Sequence, residues 1–178
     1  MAMGAEVIDT NVLVLATAMQ EGWTRPTIPT DDPVVLRRVY EWVKAFRQDP
    51  ERHLTVDVPR RMVTVEYRQN LRHEHYGMQV YQHKWDANAV AQVETTYWAN
   101  GFEWVADLPP EIQELVHDLG DHKMIACAVG ASAPIVNAAD GDWDEPRVTE
   151  ALAMLDVCLV QLLTPAERAA CKTRGTNR

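Results

Sequence analysis

Acidic residues at several points along the chain have the chemistry needed to hold a divalent cation. In chain order they are Asp9 after the apolar run AEVI, Glu66 in VEYRQNL, Asp121 before an apolar run, and Asp140 with Asp142 after PIVNA. Crowded carboxylates repel one another, and Mg²⁺ or Mn²⁺ relieves that repulsion because these hard cations accept oxygen ligands. A cation held in this way can activate water for attack on a phosphodiester. The acids therefore predict a hydrolytic metal centre, provided that the fold brings them together.

Strand-like and helix-like segments alternate along the chain, which is typical of a parallel sheet covered by helices. The strands are predicted at residues 5–8, 53–59, 102–109, 134–138 and 157–163. Helices are predicted at residues 12–19, from Pro33 onward, at 60–72 and at 146–155. Residues 78–97 are predicted to form one long helix or a helical hairpin. A further helix is predicted through residues 112–119, where Gly120 breaks it, and another is predicted to begin with Asp121 as its N-cap. Residues 21–30 are predicted to form a loop. The expected fold is a three-layer α/β/α sandwich with a mainly parallel central sheet, and ligands of such sheets bind at the carboxyl ends of the strands.

Length and composition indicate one globular domain. With 178 residues, we expect a single domain over residues 1–165 and a weakly basic, frayed tail over residues 166–178. The three cysteines form no Cys-x-x-Cys pair, which argues against a disulfide framework and a thiolate zinc site. Neither a signal peptide nor an apolar run of about 18 residues is present, so we expect a cytoplasmic protein without a membrane span. The formal charge of −9 repels nucleic acid on average, and such a ligand would need a local basic patch.

Four segments together resemble the PIN-domain nucleases, a family that includes the VapC-like toxins of bacterial toxin-antitoxin pairs. They are DTNVL, VEYRQNL, DHKMIACAVGA and PIVNAADGDW, and they occur in the family's order over nearly the whole chain. Carried over by position, the resemblance implies that the catalytic, metal-binding acids are Asp9, Glu66, Asp121 and Asp140, with Asp142 as an accessory ligand. It also implies that Asn11 positions the first acid, a role for which Thr10 competes. One departure is Asn137 with the two alanines after it, where the family often carries Ser or Thr.

The resemblance implies a metal-dependent endoribonuclease that uses Mg²⁺ or Mn²⁺. It further implies the toxin of a type II toxin-antitoxin pair, with RNA as substrate, an antitoxin protein as partner and a homo-oligomeric state. The alternative is a PIN-like module that binds a protein or nucleic acid with little or no cleavage. The intact set of acids disfavours that alternative, whereas the charge of −9 and the missing Ser or Thr keep it open.

Each acid also has an ordinary structural explanation. Asp9 and Asp121 could cap turns or helices, Glu66 could lie on a solvated helix face, and residues 140–144 could form an acidic turn. These explanations leave the ordered match to the family pattern unexplained. A phosphatase of the haloacid-dehalogenase type fits less well, because it needs a second aspartate where Asn11 stands.

Basic and aromatic residues near Glu66 give the second set of expectations. Arg61 and Arg68 flank Glu66 and are the predicted RNA contacts, although a solvated helix face with nearby acids explains them equally well. The aromatic residues between positions 81 and 97 could stack on bases, but their helical spacing favours core or dimer packing. We expect a partner chain to dock on this stretch and on the helix of Glu66. His73 and His75 are a poor pair of metal ligands, because side chains two positions apart on a helix point in different directions, and both are expected to be surface residues.

Overall fold

A five-stranded parallel sheet forms the centre of the computed structural model, which describes residues 4–19, 28–99 and 105–175. The strands are β1 (Ala5–Ile8), β2 (His53–Val58), β3 (Val90–Glu94), β4 (Ile135–Asn137) and β5 (Leu159–Gln161). Their order is β3-β2-β1-β4-β5, and every neighbouring pair is parallel. The chain moves outward from β1 in one direction through β2 and β3, and in the other through β4 and β5. The crevice between the carboxyl ends of β1 and β4 is thus the topological switch point, where ligands bind in open α/β sheets.

Helices cover the sheet and complete the predicted three-layer α/β/α sandwich. The described residues contain eight α-helices: α1 (Thr10–Ala18), α2 (Pro33–Gln48), α3 (Met62–Asn70), α4 (Tyr76–Asp86), α5 (Pro110–Leu115), α6 (Leu119–Ala131), α7 (Pro146–Met154) and α8 (Pro165–Gly175). Helix α1 contacts α2, α3 and α4, whereas α6 packs on β1, β2 and β3. In the part of the chain that is described, no helix combines the length and the apolarity needed to cross a membrane.

Helix α2 shows how closely local sequence signals match the structure. The Asp32 carboxylate accepts a hydrogen bond of 2.8 Å from the backbone N–H of Val34, and Pro33 occupies the first helical position. The apolar positions recur at helical spacing and are buried in the core: Val35, Leu36, Val39, Val43 and Phe46. The prediction of a capped amphipathic helix that begins at Pro33 is confirmed.

The prediction of one helical segment over residues 78–97 is wrong. Helix α4 ends at Asp86, and β3 then pairs with β2 from Val90 to Glu94. Asn88 separates the two elements with a left-handed backbone (φ 55°), a conformation that asparagine tolerates better than most residues. The helical spacing of apolar residues continues across this junction only by coincidence: Val93 lies four residues after Ala89, but it belongs to β3.

The start of α6 also differs from the prediction of a helix that is broken by Gly120 and capped by Asp121. The N-cap is Asp118, whose carboxylate accepts a hydrogen bond of 2.7 Å from the Gly120 N–H. Gly120 lies inside the first turn of α6, and Asp121 follows it there. Asp118 therefore caps the helix, and the Asp121 carboxylate is available for other contacts.

Three other predictions concern the chain ends and loops. Helix α8 occupies residues 165–175, where a frayed tail was expected, and its Arg168 forms an ion pair of 2.8 Å with Asp144. The predicted strand at 102–109 lies partly outside the described residues, and Val105 makes a single antiparallel bridge with Tyr97. The loop predicted at residues 21–30 lies largely outside the described residues.

Candidate metal centre

Three carboxylates converge at the switch point of the sheet. Asp9 directly follows β1, Asp140 follows β4, and Asp121 lies in the first turn of α6. Each offers one oxygen atom, and these three oxygens lie within 4.8 Å of one another. Asp9 and Asp121 are each only 7% exposed, and Asp140 is half-buried. The three aspartates, hereafter the triad, line a cleft of about 250 Å³.

Donors from two directions fix Asp9 within the triad. Its Oδ1 accepts hydrogen bonds from the backbone N–H of Asn11 (2.9 Å) and from the Asn11 side-chain amide. Its Oδ2 accepts a 2.7 Å bond from the indole N–H of the fully buried Trp143. Since both oxygens are engaged, Asp9 has little freedom to rotate.

Asn11 also ties the end of β1 to the end of β4. Its side-chain oxygen accepts the backbone N–H groups of Ala138 (3.1 Å) and Ala139 (2.9 Å), and its amide donates to Asn137 Oδ1 at 2.9 Å. One side chain thereby fixes the separation between the two loops that carry Asp9 and Asp140.

Asn137 orders the loop that carries Asp140, at the place where Ser or Thr was expected from the family pattern. Its side-chain amide donates to the Asp140 carbonyl at 2.7 Å, and its side-chain oxygen accepts from the Asp140 N–H at 3.2 Å. The backbone N–H of Asp142 donates to Asp140 Oδ1 at 2.9 Å. The exposed carboxylate of Asp142 is not part of the carboxylate group found among the described residues.

Burial and mutual repulsion make the triad electrostatically unfavourable without a cation. Burial, and after it the negative charge of Asp140, raises the pKa of Asp9 to about 7, although hydrogen bonds from Asn11 and Trp143 act in the opposite direction. Burial raises the pKa of Asp121 to about 9, with Asp9 as the strongest like-charged neighbour. Within the described residues, the buried Oδ2 of Asp121 has no hydrogen-bond partner.

This donor set suits a hard divalent cation. The triad offers only carboxylate oxygens, which are the ligands that Mg²⁺ and Mn²⁺ prefer, and sulfur and imidazole are absent from it. A cation would supply the partner that Asp121 Oδ2 lacks. The residues therefore fit a bound metal ion.

The fourth predicted ligand, Glu66, lies in the same cleft but is engaged in an ion pair. Its Oε1 accepts a short hydrogen bond from the hydroxyl of Thr10, and its Oε2 lies 2.7 Å from the Lys123 ammonium. The Lys123 side chain is fully buried and also donates to the Gly120 carbonyl at 2.9 Å. The structure therefore brings Glu66 near the triad without making it a member. Thr10 contacts Glu66, whereas Asn11 contacts Asp9.

The predicted RNA-binding arginines lie on or beside α3. Arg68 is exposed on this helix, and Arg61 precedes it with a left-handed backbone (φ 56°). The Arg61 guanidinium lies 5.4 Å from the centre of the Trp85 ring. Both side chains are exposed.

The aromatic residues and histidines near this helix have mostly structural environments. Tyr81 and Tyr97 are buried at 5% and 8% exposure, so their faces are not open to bases. The expectation that His75 lies on the surface is wrong, because its side chain is buried and its Nδ1 accepts the Arg72 N–H at 3.0 Å. His73 is exposed.

Two residues of the site escaped the sequence analysis. Lys123 could have been noticed, because a lysine within the apolar run of α6 indicates a buried charge that needs a partner. Trp143 gave no comparable signal, since a tryptophan after an acidic turn is compatible with many packing roles.

Comparison of the chain with protein-family models, with curated proteins and with solved structures finds no match. The class of protein is therefore defined by its own fold and site: an α/β/α sandwich with a buried carboxylate triad at the switch point of its sheet.

Proposed function

We propose that this protein is a metal-dependent phosphodiesterase, and specifically an endoribonuclease that uses Mg²⁺ or Mn²⁺. The observation that supports the proposal most strongly is that Asp121, whose carboxylate groups with two further aspartates at the switch point, has a buried oxygen without a hydrogen-bond partner among the described residues. Burying three repelling carboxylates costs free energy, and a cation that joins them offsets this cost. The order of the PIN-like segments along the sequence supports the nuclease assignment.

In the proposed mechanism the triad holds the cation. A bound Mg²⁺ or Mn²⁺ would lower the pKa of a coordinated water and stabilise charge on the leaving oxygen of the phosphodiester. Asn11 and Trp143 keep Asp9 oriented toward the cleft, and Asn137 keeps the Asp140 loop in place. Glu66 and Lys123 form one wall of the cleft. The protein itself needs no nucleophilic side chain for this reaction.

An acidic protein repels the phosphate backbone and can make only a few phosphate contacts. RNA is the proposed substrate because it can be recognised by other features. The net charge is −9, so specificity would come from RNA shape or from an exposed single-stranded loop. Arg61 and Arg68 are exposed beside the cleft-forming helix α3 and are the proposed phosphate contacts. An antitoxin partner and a homo-oligomer remain predictions that follow from the PIN resemblance, and a cytoplasmic location remains a prediction from the sequence.

The proposal is tested by titrating Mg²⁺ or Mn²⁺ into the protein with a fluorescent structured RNA, and in parallel with a duplex DNA of the same sequence. We expect cleavage of RNA that requires the metal and stops with a chelator, and little cutting of duplex DNA. Metal binding without RNA cleavage would instead support the alternative of a PIN-like binding module, which the net charge of −9 keeps open. Efficient cutting of duplex DNA would contradict the choice of substrate.

A further inference from the structure

The ion pair between Glu66 and Lys123 is an unusual feature of the cleft. Both oxygens of Glu66 already have donors, the Thr10 hydroxyl and the Lys123 ammonium. In contrast, Asp121 Oδ2 has no partner among the described residues. Five acids line the cleft: Asp118 caps α6, Glu66 is paired with Lys123, and Asp9, Asp121 and Asp140 form the triad.

The position of Lys123 ties it to the same site. It lies two residues after Asp121 on α6, and its side chain is completely shielded from solvent. A buried ammonium is destabilising unless polar partners accompany it, so moving Glu66 to a metal would cost free energy by removing its 2.7 Å contact with Lys123. The contacts of Lys123 therefore oppose the use of Glu66 as a ligand.

Charge balance leads to the same result. One divalent ion cancels two of the three negative charges that the triad can carry, and the Lys123 ammonium cancels the charge of Glu66. A Glu66 carboxylate released from Lys123 would add a free negative charge beside the triad and favour a second cation, as in sites where two metals act together. The ammonium supplies that positive charge as part of the protein.

We propose that Lys123 takes the place of a second metal ion, so that the centre binds one cation through Asp9, Asp121 and Asp140 while Glu66 is held outside the ligand set. This inference rests on the proposed metal-dependent function. Lys123 acts as a positioning residue through Glu66, and it limits the number of cations that the cleft accepts.

The test is Mn²⁺ binding to the full chain, measured as stoichiometry and affinity by calorimetry and by the electron paramagnetic resonance signal of free Mn²⁺. The key variant is the double substitution Lys123→Met with Glu66→Gln, which preserves side-chain size and local net charge. We expect one ion per chain in the wild type, and one ion bound with an affinity within about twofold of wild type in the double variant. Asp121→Asn should weaken binding at least about tenfold.

The single substitution Lys123→Met frees Glu66 beside the triad, and we expect it to bind a second Mn²⁺ ion. Two ions in the wild type, one ion in Lys123→Met, or a double variant as weak as Asp121→Asn would each overturn the inference. If Lys123→Met does not fold, as judged by thermal melting, the wild-type stoichiometry and the double variant still decide the matter. If the wild type binds no Mn²⁺, or Asp121→Asn binds it equally well, the proposed metal centre itself fails.

Discussion

Two buried aspartates in this protein, Asp57 and Asp121, have opposite surroundings. Asp57, near the end of β2, is completely buried, and its carboxylate accepts the backbone N–H groups of Met62 and Val63 at 2.8 Å each. The hydroxyl of Tyr97 donates to it at 2.9 Å. These donors make Asp57 a structural link between β2, the start of α3 and the segment after β3.

Asp121 is almost as deeply buried but has like-charged neighbours in place of donors. Its Oδ2 has no hydrogen-bond partner among the described residues, and Asp9 and Asp140 repel its charge. Burial alone therefore does not identify a functional carboxylate. The difference lies in whether the protein supplies donors for the charge, as it does for Asp57, or leaves a carboxylate oxygen without a partner, as it does for Asp121.

The largest expected effect is the loss of RNA cleavage when the Asp121 carboxylate is removed. Asp121→Asn removes one metal-binding charge, and we expect RNA cleavage with saturating Mn²⁺ to fall at least about 100-fold. The initial rate on a fluorescent RNA measures this. Asp142→Asn, which alters an exposed acid outside the triad, is the matched control and should cut nearly as fast as wild type. Equal rates for Asp121→Asn and wild type would exclude the site.

The second effect is on the pH dependence of stability without metal. The folded-state pKa values of Asp9 and Asp121, about 7 and about 9, lie above the unfolded value near 4, so the folded protein binds more protons in this interval. The contribution of these two aspartates to the free energy of unfolding should be highest at about pH 4 and below. It should fall by several kcal/mol as the pH rises from about 4 to 9. Urea titrations in a chelator measure the trend. Asp121→Asn should flatten it, and a wild-type stability that increases from pH 5 to 9 would contradict the assigned repulsion.

The third effect concerns Asp57. Replacing it with alanine leaves two helix N–H groups and the Tyr97 hydroxyl without their acceptor, and should lower the free energy of unfolding by about 3 kcal/mol. Chemical denaturation at pH 7 measures this loss. Asp121→Asn, in contrast, should stabilise the metal-free protein at that pH. If both substitutions destabilise the protein equally, the contrast between the two aspartates is incorrect.

Much of this fold could be predicted from the sequence because local signals agree with the tertiary structure. The capped helix α2 and the buried strand β1 are examples, since periodicity and turn residues determine both. The break between α4 and β3 was missed because Asn88 is a weak local signal, and pairing with β2 decides the outcome. The cap of α6 was misassigned because Asp118 and Asp121 are equally good capping residues in sequence, and only the structure shows which one accepts the N–H.

The acids of the triad could be proposed from the sequence because each lies next to a recognisable element end. The division between the triad and Glu66 could not be proposed in that way. It depends on Lys123, which reaches Glu66 across 57 positions of sequence order only after α3 and α6 have packed together. Long-range pairing of charges has no local signature.

The smallest effect is expected at the proposed phosphate contacts. Arg61→Glu and Arg68→Glu should each reduce the slope of log affinity for RNA against log salt by about one, because each removes one phosphate contact. Filter binding across a salt series measures the slopes, and Mn²⁺ affinity should remain unchanged. Arg37→Glu, at an exposed position on α2, is the matched control. Identical slopes for all three variants and wild type would remove these arginines from the RNA-binding surface.

The most direct test of the metal centre is anomalous X-ray diffraction from crystals of the protein soaked or grown with Mn²⁺. We expect an anomalous peak in the cleft, in contact with carboxylate oxygens of Asp9, Asp121 and Asp140, and its loss in Asp121→Asn. A well-ordered triad without such a peak at saturating Mn²⁺, or a peak only elsewhere on the protein, would contradict the assignment of these three aspartates as a metal centre.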